Sequence, residues 1–244
     1  MRQFVGLGLV VFACGWMGNA RAECTGTYTG DQLVEDLGQM TVALRALDEE
    51  RFQSAGLRLE GNLTCAKQKI PVGVFASAFR FIGAYHYLSG RDEVARAWFR
   101  SSLELDGDFQ WDITELDLEH PMRRTFDEER AVATAAGEPL EDMVINPPSG
   151  STLLLDGRSF TEPLMTGDRP HVLQVIGDDQ SIRQVFVIED GQIPEQFLLS
   201  ESMLKARQEA ASAASSKKKK KKKNKKKDKK KDTEAPEESA VETS

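Results

Sequence analysis

The chain is short of the residues from which most active sites are built. It contains no G-x-S-x-G, no H-E-x-x-H, no phosphate loop and no dinucleotide glycine fingerprint, which removes the commonest hydrolase, zinc-peptidase and nucleotide-binding signatures. Histidine occurs three times, at His86, His120 and His171. Each falls in a different predicted element, and nothing in their spacing supports a shared metal site. His86, on the apolar side of a helix, reads as a packed, hydrogen-bonded residue. His120, just before Pro121, reads as a helix start, and His171 begins a strand. Asp106-x-Asp108 opens like a calcium loop, but Gln110 and Trp111 stand where a ligand and the turn glycine are needed. The acidic run from Asp106 to Glu119 is therefore expected to be a solvated loop. No cofactor, metal or catalytic residue is expected, and the chain reads as non-enzymatic.

Lysine is nearly missing from the body, where only Lys67, Lys69 and Lys205 occur between residues 23 and 216. It is concentrated instead in one block. Lys217, Lys218, Lys219, Lys220, Lys221, Lys222, Lys223, Lys225, Lys226, Lys227, Lys229, Lys230 and Lys231 stand against the single acid Asp228, a net of +12. The body carries seventeen basic and thirty-three acidic residues, a net of −16, and the last thirteen residues add five acids and no base. Like charges at this density repel, so the tail from 217 to 244 is expected to be disordered. The lysines are candidate contacts for an anionic polymer or lipid surface. Nucleic acid is the weakest of the polyanions, because no aromatic residue is interleaved for base stacking.

Long apolar runs are scarce too. Phe4 to Ala13 is apolar and follows Arg2, and Ala20-Arg21-Ala22 supplies a small-x-small cleavage site. This predicts a removable export signal over residues 1–22, since the run is too short to span a bilayer as a helix. The mature chain would start at Glu23 with no transmembrane span, and would be periplasmic or secreted. Lipid attachment at Cys14 is the alternative, from the loose lipobox Val11-Phe12-Ala13-Cys14. Export leaves Cys24 and Cys65, and two cysteines in an oxidising compartment suggest one disulfide. Cys24 precedes the first predicted mature helix and Cys65 follows the second, so an antiparallel helix pair would bring them together.

The most informative stretch runs from Phe75 to Leu105. Phe79, Ile82, Gly83 and His86 fall on one helical face, and Ser89-Gly90-Arg91-Asp92 breaks the pattern. A second helix follows with Val94, Ala95, Trp98, Phe99, Ser102 and Leu103 on its apolar side. Small residues at Gly83 and Ala95 allow a close approach, and Phe99 can fill the gap beside them. Asp31 to Leu63 predicts an earlier helix pair, and a step of forty residues sets Val42 on Ile82, Ala43 on Gly83, Ala55 on Ala95, Leu59 on Phe99 and Leu63 on Leu103. This packing pattern, over residues 31 to 109, resembles tetratricopeptide (TPR) repeats. A further helix from Pro121 through Met122, Phe126 and Val132 would cap the open end.

Gly137, Pro139, Pro147, Pro148 and Gly150 predict a linker over 137–149. The pattern then turns to β, with short runs at 152–155, 171–176, 182–188 and 193–199 divided by Asp156-Gly157, Gly177-Asp178-Asp179 and Asp190-Gly191. Pro147-Pro148-Ser149-Gly150-Ser151 followed by a strand ending in Asp156-Gly157, then Pro163 and Gly167 ahead of His171-Val172-Leu173-Gln174-Val175, resembles the PEGA family of surface β-modules over residues 146 to 200. Residues 200–216 are alanine-rich and could form a helix. The expected class is α+β, with a TPR-like helical domain over 23–136 and a small antiparallel PEGA-like β-domain over 150–199. The two resemblances imply an exported bacterial protein that binds or scaffolds one or more envelope proteins. Action mainly through the polylysine tail is the alternative.

Overall fold

The computed structural model describes residues 28–134, 138–139, 143–162, 164–189 and 191–200, with residues 202, 203, 205, 206 and 209 beyond them. The export segment 1–22, Cys24 and the tail 217–244 lie outside the described residues. What is described is a mixed α+β fold, helices first and a small antiparallel sheet region after them.

Helix α1, Gly30–Arg45, starts at a capping box in which Thr29 Oγ1 accepts from Gln32 N and Gln32 Oε1 accepts from Thr29 N. Leu33, Leu37, Met40 and Leu44, at steps of four and three, are buried. The chain turns at Leu47, whose φ is 53°. Asp48 then caps α2, Glu49–Asn62, by accepting from Arg51 N at 3.0 Å. Helix α3, Val72–Leu88, is apolar around most of its circumference and is enclosed accordingly. It ends at Gly90, whose φ of 71° suits a residue without a Cβ. Helix α4, Asp92–Leu105, returns along it so closely that a Cβ on Gly83 would lie 2.5 Å from the Phe99 ring. Helices α5, Pro121–Glu128, and α6, Arg130–Ala133, close the end of this pair, with Phe126 edge-on to Phe99 at 5.2 Å.

Two short strands fall within the span expected as a linker. Glu138–Pro139 (β1) and Met143–Ile145 (β2) are strands that pair with Leu164–Met165 (β5) and Leu198–Ser200 (β8). Between these partners runs the main sheet, built from β3, Ser151–Leu155, β4, Arg158–Ser159, β6, His171–Gly177, and β7, Ile182–Ile188. Its order is β4-β3-β6-β7 and every pairing is antiparallel. Asp156 and Gly157 both take positive φ, 51° and 81°, as an Asp-Gly hairpin turn requires. The expected strand 193–199 shortens to β8, because Pro194 opens a 3-10 turn over Glu195–Phe197.

All of β6 is buried, since both of its faces are covered. On one face Val172 enters the helical core, with Val185 and Val187 packed against the same cluster. On the other, Leu173 and Val175 meet Phe160, Met165, Ile193 and Phe197 in a second core. The helices and the sheet therefore share a seam.

Candidate functional site

Two places bring chemistry-bearing side chains together. The first is the face that α1 and α3 share. The run 106–119, expected to be solvated, returns across this face as a strap that ends at His120. Trp111 and Leu116 are buried and Phe109 is partly so. The Trp111 ring stands edge-on to Phe81 of α3 at 6.0 Å, and Phe109 lies under the Arg80 guanidinium, whose Cζ is 3.4 Å from the ring centroid. Glu115 pairs with Arg45 at the end of α1, at 2.9 Å. From behind, Arg123 donates to Leu116 O at 2.9 Å, and Arg130 donates to Gly107 O and Phe109 O. Apart from Glu115, the acids remain outside while the rings go in, a division that the net charge of the segment conceals.

Arg80 is 7% exposed and Trp111 3%. Burial draws the Arg80 guanidinium down to about 10, against the pull of Asp106 and Glu115. Its Nη2 reaches Ser77 Oγ at 3.3 Å, but Nε, Nη1 and the indole Nε1 of Trp111 find no acceptor among the described residues.

The second place is the seam. His171 Nδ1 is 2.6 Å from Asp156 Oδ2, and its Nε2 is 3.0 Å from Thr166 O. A carboxylate and a carbonyl only accept, so both ring nitrogens carry protons and the ring is an imidazolium. Burial works to lower its proton affinity, but the hydrogen bond and charge of Asp156, with Glu104 and the Thr166 carbonyl, outweigh burial and raise it. The other Asp156 oxygen accepts from Val172 N at 2.7 Å. Thr166 Oγ1 is also 3.3 Å from Nε2, which gives an Asp–His–Thr sequence of contacts. It is not a nucleophile paired with a base, because Nε2 has no lone pair to offer and the hydroxyl donates to Glu104 Oε2 at 3.2 Å. Arg169 completes the seam, reaching Glu104 at 3.3 Å, Ala133 O at 2.8 Å and Val132 O at 3.2 Å. Ser101 Oγ donates to Pro170 O at 2.6 Å. The cluster can hold helices to sheet.

Phe79, Ile82, Gly83, His86, Ala95, Phe99 and Ser102 are all buried, and Gly83 meets Phe99 and Ala95 across the α3–α4 contact. Ser102 Oγ donates to Ala76 O at 2.7 Å, and His86 Nε2 meets Glu60 of α2 at 2.8 Å. His120 serves as the N-cap of α5, with Nδ1 accepting from Met122 N at 3.2 Å. The forty-residue overlay fails at Val42, which is 52% exposed where Ile82 is fully buried. Helix α3 is buried around most of its circumference. Cys65 lies buried in a 3-10 turn, Leu63–Cys65, while Cys24 and every lysine from Lys217 to Lys231 lie outside the described residues. Among the described residues, no group of three or more His, Cys, Asp or Glu side chains is placed to hold a metal ion, and no helix is long and apolar enough to cross a membrane. A shallow cleft of about 300 Å³ lies along α1 and α2, but Arg58 within it is already bonded to Asp36, Ser54 and Gln39.

Sequence reasoning missed Arg80, Phe109 and Trp111 on one site and Glu104, Asp156, Thr166 and Arg169 on the other. Arg80 did carry a signal, as the one arginine inside the apolar helix 72–88. No family model matches the chain, and no curated protein or solved structure is significantly similar to it.

Proposed function

We propose that this is a non-enzymatic, exported binding or scaffolding protein of the bacterial cell envelope, with its helical hairpins as the docking unit and its β-unit as a second contact. The close approach of α4 to α3 over Gly83 carries the reading. Paired helices built on recurring small residues are how TPR-like units present a surface, and Ala43 and Ala55, at the equivalent places in the first pair, are likewise buried. The PEGA-like reading of the β-unit draws on the Asp156-Gly157 hairpin and the strand that follows from His171.

Export and a Cys24–Cys65 bond belong to the same proposal. Tyr28 N donates to Cys65 O at 3.3 Å and Lys67 N donates to Tyr28 O at 3.1 Å. Tyr28 is four residues from Cys24 in the sequence, and its main-chain bonds to the Cys65 turn support the pairing.

A second reading gives the principal work to the lysine tail, on the strength of the +12 block tethered to an acidic body. Capture of envelope partners by the chain with and without residues 217–244 separates the two. A docking protein keeps its partner without the tail. Loss of capture on deletion, together with salt-sensitive binding of the intact chain to anionic vesicles, transfers the function to the tail.

A further inference from the structure

The geometry points to the strap 106–119 as a displaceable internal occupant of the α1–α3 face, holding the place of a partner segment that brings an aromatic ring and hydrogen-bond acceptors. This rests on the docking reading above and adds its regulation.

The contact between strap and helices is uneven. Behind the strap, Arg130 and Arg123 fix its two shoulders through the carbonyls of Gly107, Phe109 and Leu116. Toward α1 and α3 it has ring contacts, one ion pair and no backbone hydrogen bond among the described residues. That ion pair, Arg45–Glu115, leaves the Arg45 side chain 50% exposed, so water competes for it. At the centre of the same contact lie the three buried donors without acceptors, Arg80 Nε, Arg80 Nη1 and Trp111 Nε1.

A buried donor left unmet is a standing cost, and three of the seven such polar atoms among the described residues gather at this one contact. A segment that presents a carboxylate or main-chain carbonyls to Arg80, with a ring against Phe81, meets those donors better than the strap does. The strap then swings out on its Arg123 and Arg130 shoulders. Its outer side already carries Ile113 and Leu118 in solvent.

The test uses the full chain and a fluorescent synthetic peptide copying residues 106–118. Glu115→Arg sets a second cation against Arg45 and weakens the internal strap, while the added peptide keeps its own glutamate. We expect this variant to bind the peptide at least tenfold more tightly than the parent. The double change Arg45→Glu with Glu115→Arg restores the internal pair and sets an acid against the peptide's own glutamate, so binding should fall to the parent level or below it. A folded Glu115→Arg that binds no better than the parent overturns the proposal. Hydrogen exchange on the unaltered chain stands independently of that variant's folding. Amides of 110–116 should exchange at least tenfold faster than those of α3, and equal protection overturns the proposal. Failure of the docking reading looks different. In that case the loosened variant binds the peptide yet captures no envelope partner that the parent lacks.

Discussion

Gly83 is the residue on which the α3–α4 approach turns. A methyl group there meets the Phe99 ring at 2.5 Å and Ala95 O at 3.2 Å, and both neighbours are themselves fully buried. Gly83→Ala should therefore cost about 1–3 kcal/mol despite alanine's better helix propensity, and Ala95→Leu should cost at least as much. Chemical denaturation checks both, and a Gly83→Ala variant more stable than the parent would place the helices farther apart. Leu47 gives the opposite sign. It holds a left-handed φ of 53° with its side chain 83% exposed, so the position gains little from leucine and strains its backbone. Leu47→Gly should raise stability by about 0.5–1 kcal/mol, the strain relieved less the added chain entropy. Gly83, Ala95 and Phe99 were legible in the sequence because their fit depends on neighbours within one hairpin. Leu47 was not, since a leucine in a turn carries no signature of the angle it is forced to take.

Strands β3 and β6 are joined through the contact of His171 with Asp156. The groups facing His171 are Asp156 from the β3–β4 turn, the Thr166 carbonyl and hydroxyl beside β5, and Glu104 from α4, with Arg169, Asp168 and Arg100 next in the network. Its proton affinity is raised on folding, so the stabilisation is full below the unfolded histidine range, near pH 6.5, and is lost as pH rises through the higher folded value. Melting curves taken between about pH 6 and pH 9 should show this alkaline loss. It should vanish in His171→Gln, and persistence of the same slope in that variant would assign it elsewhere. Asp156→Asn removes the counter-charge and leaves the imidazolium buried, at a cost of about 3–5 kcal/mol. None of this was visible along the chain. Glu104, Asp156, Thr166, Arg169 and His171 converge only when the sheet docks, whereas the turn at Asp156-Gly157 is local and was read directly. Strands β1 and β2 escaped for a related reason. Two or three residues are too few to show a period of two, and both owe their conformation to partners more than twenty residues away.

At the scale of the whole molecule, the proposed Cys24–Cys65 bond would close a loop around α1 and α2. The chain-entropy model gives such a loop about 4 kcal/mol. Intact-mass analysis of exported material should find a chain beginning at Glu23, lighter by two hydrogens than its dithiol form. A species with two alkylatable thiols would remove the bond. Reduction should loosen the Tyr28–Ala66 bridge first, because that contact is the nearest one the bond would restrain.

Val172 has a bearing on ancestry. It is a strand residue enclosed among helical side chains, and Arg169 holds the last carbonyls of α6. A fragment ending at residue 136 would uncover the apolar patch that Val172, Val185 and Val187 occupy, and one starting at 150 would lack β1 and β2. Neither half could be exchanged for a homologous piece from another gene without remaking the contact between them. Recombination would find no clean joint here, and the two halves should have diverged in step, as a single heritable unit.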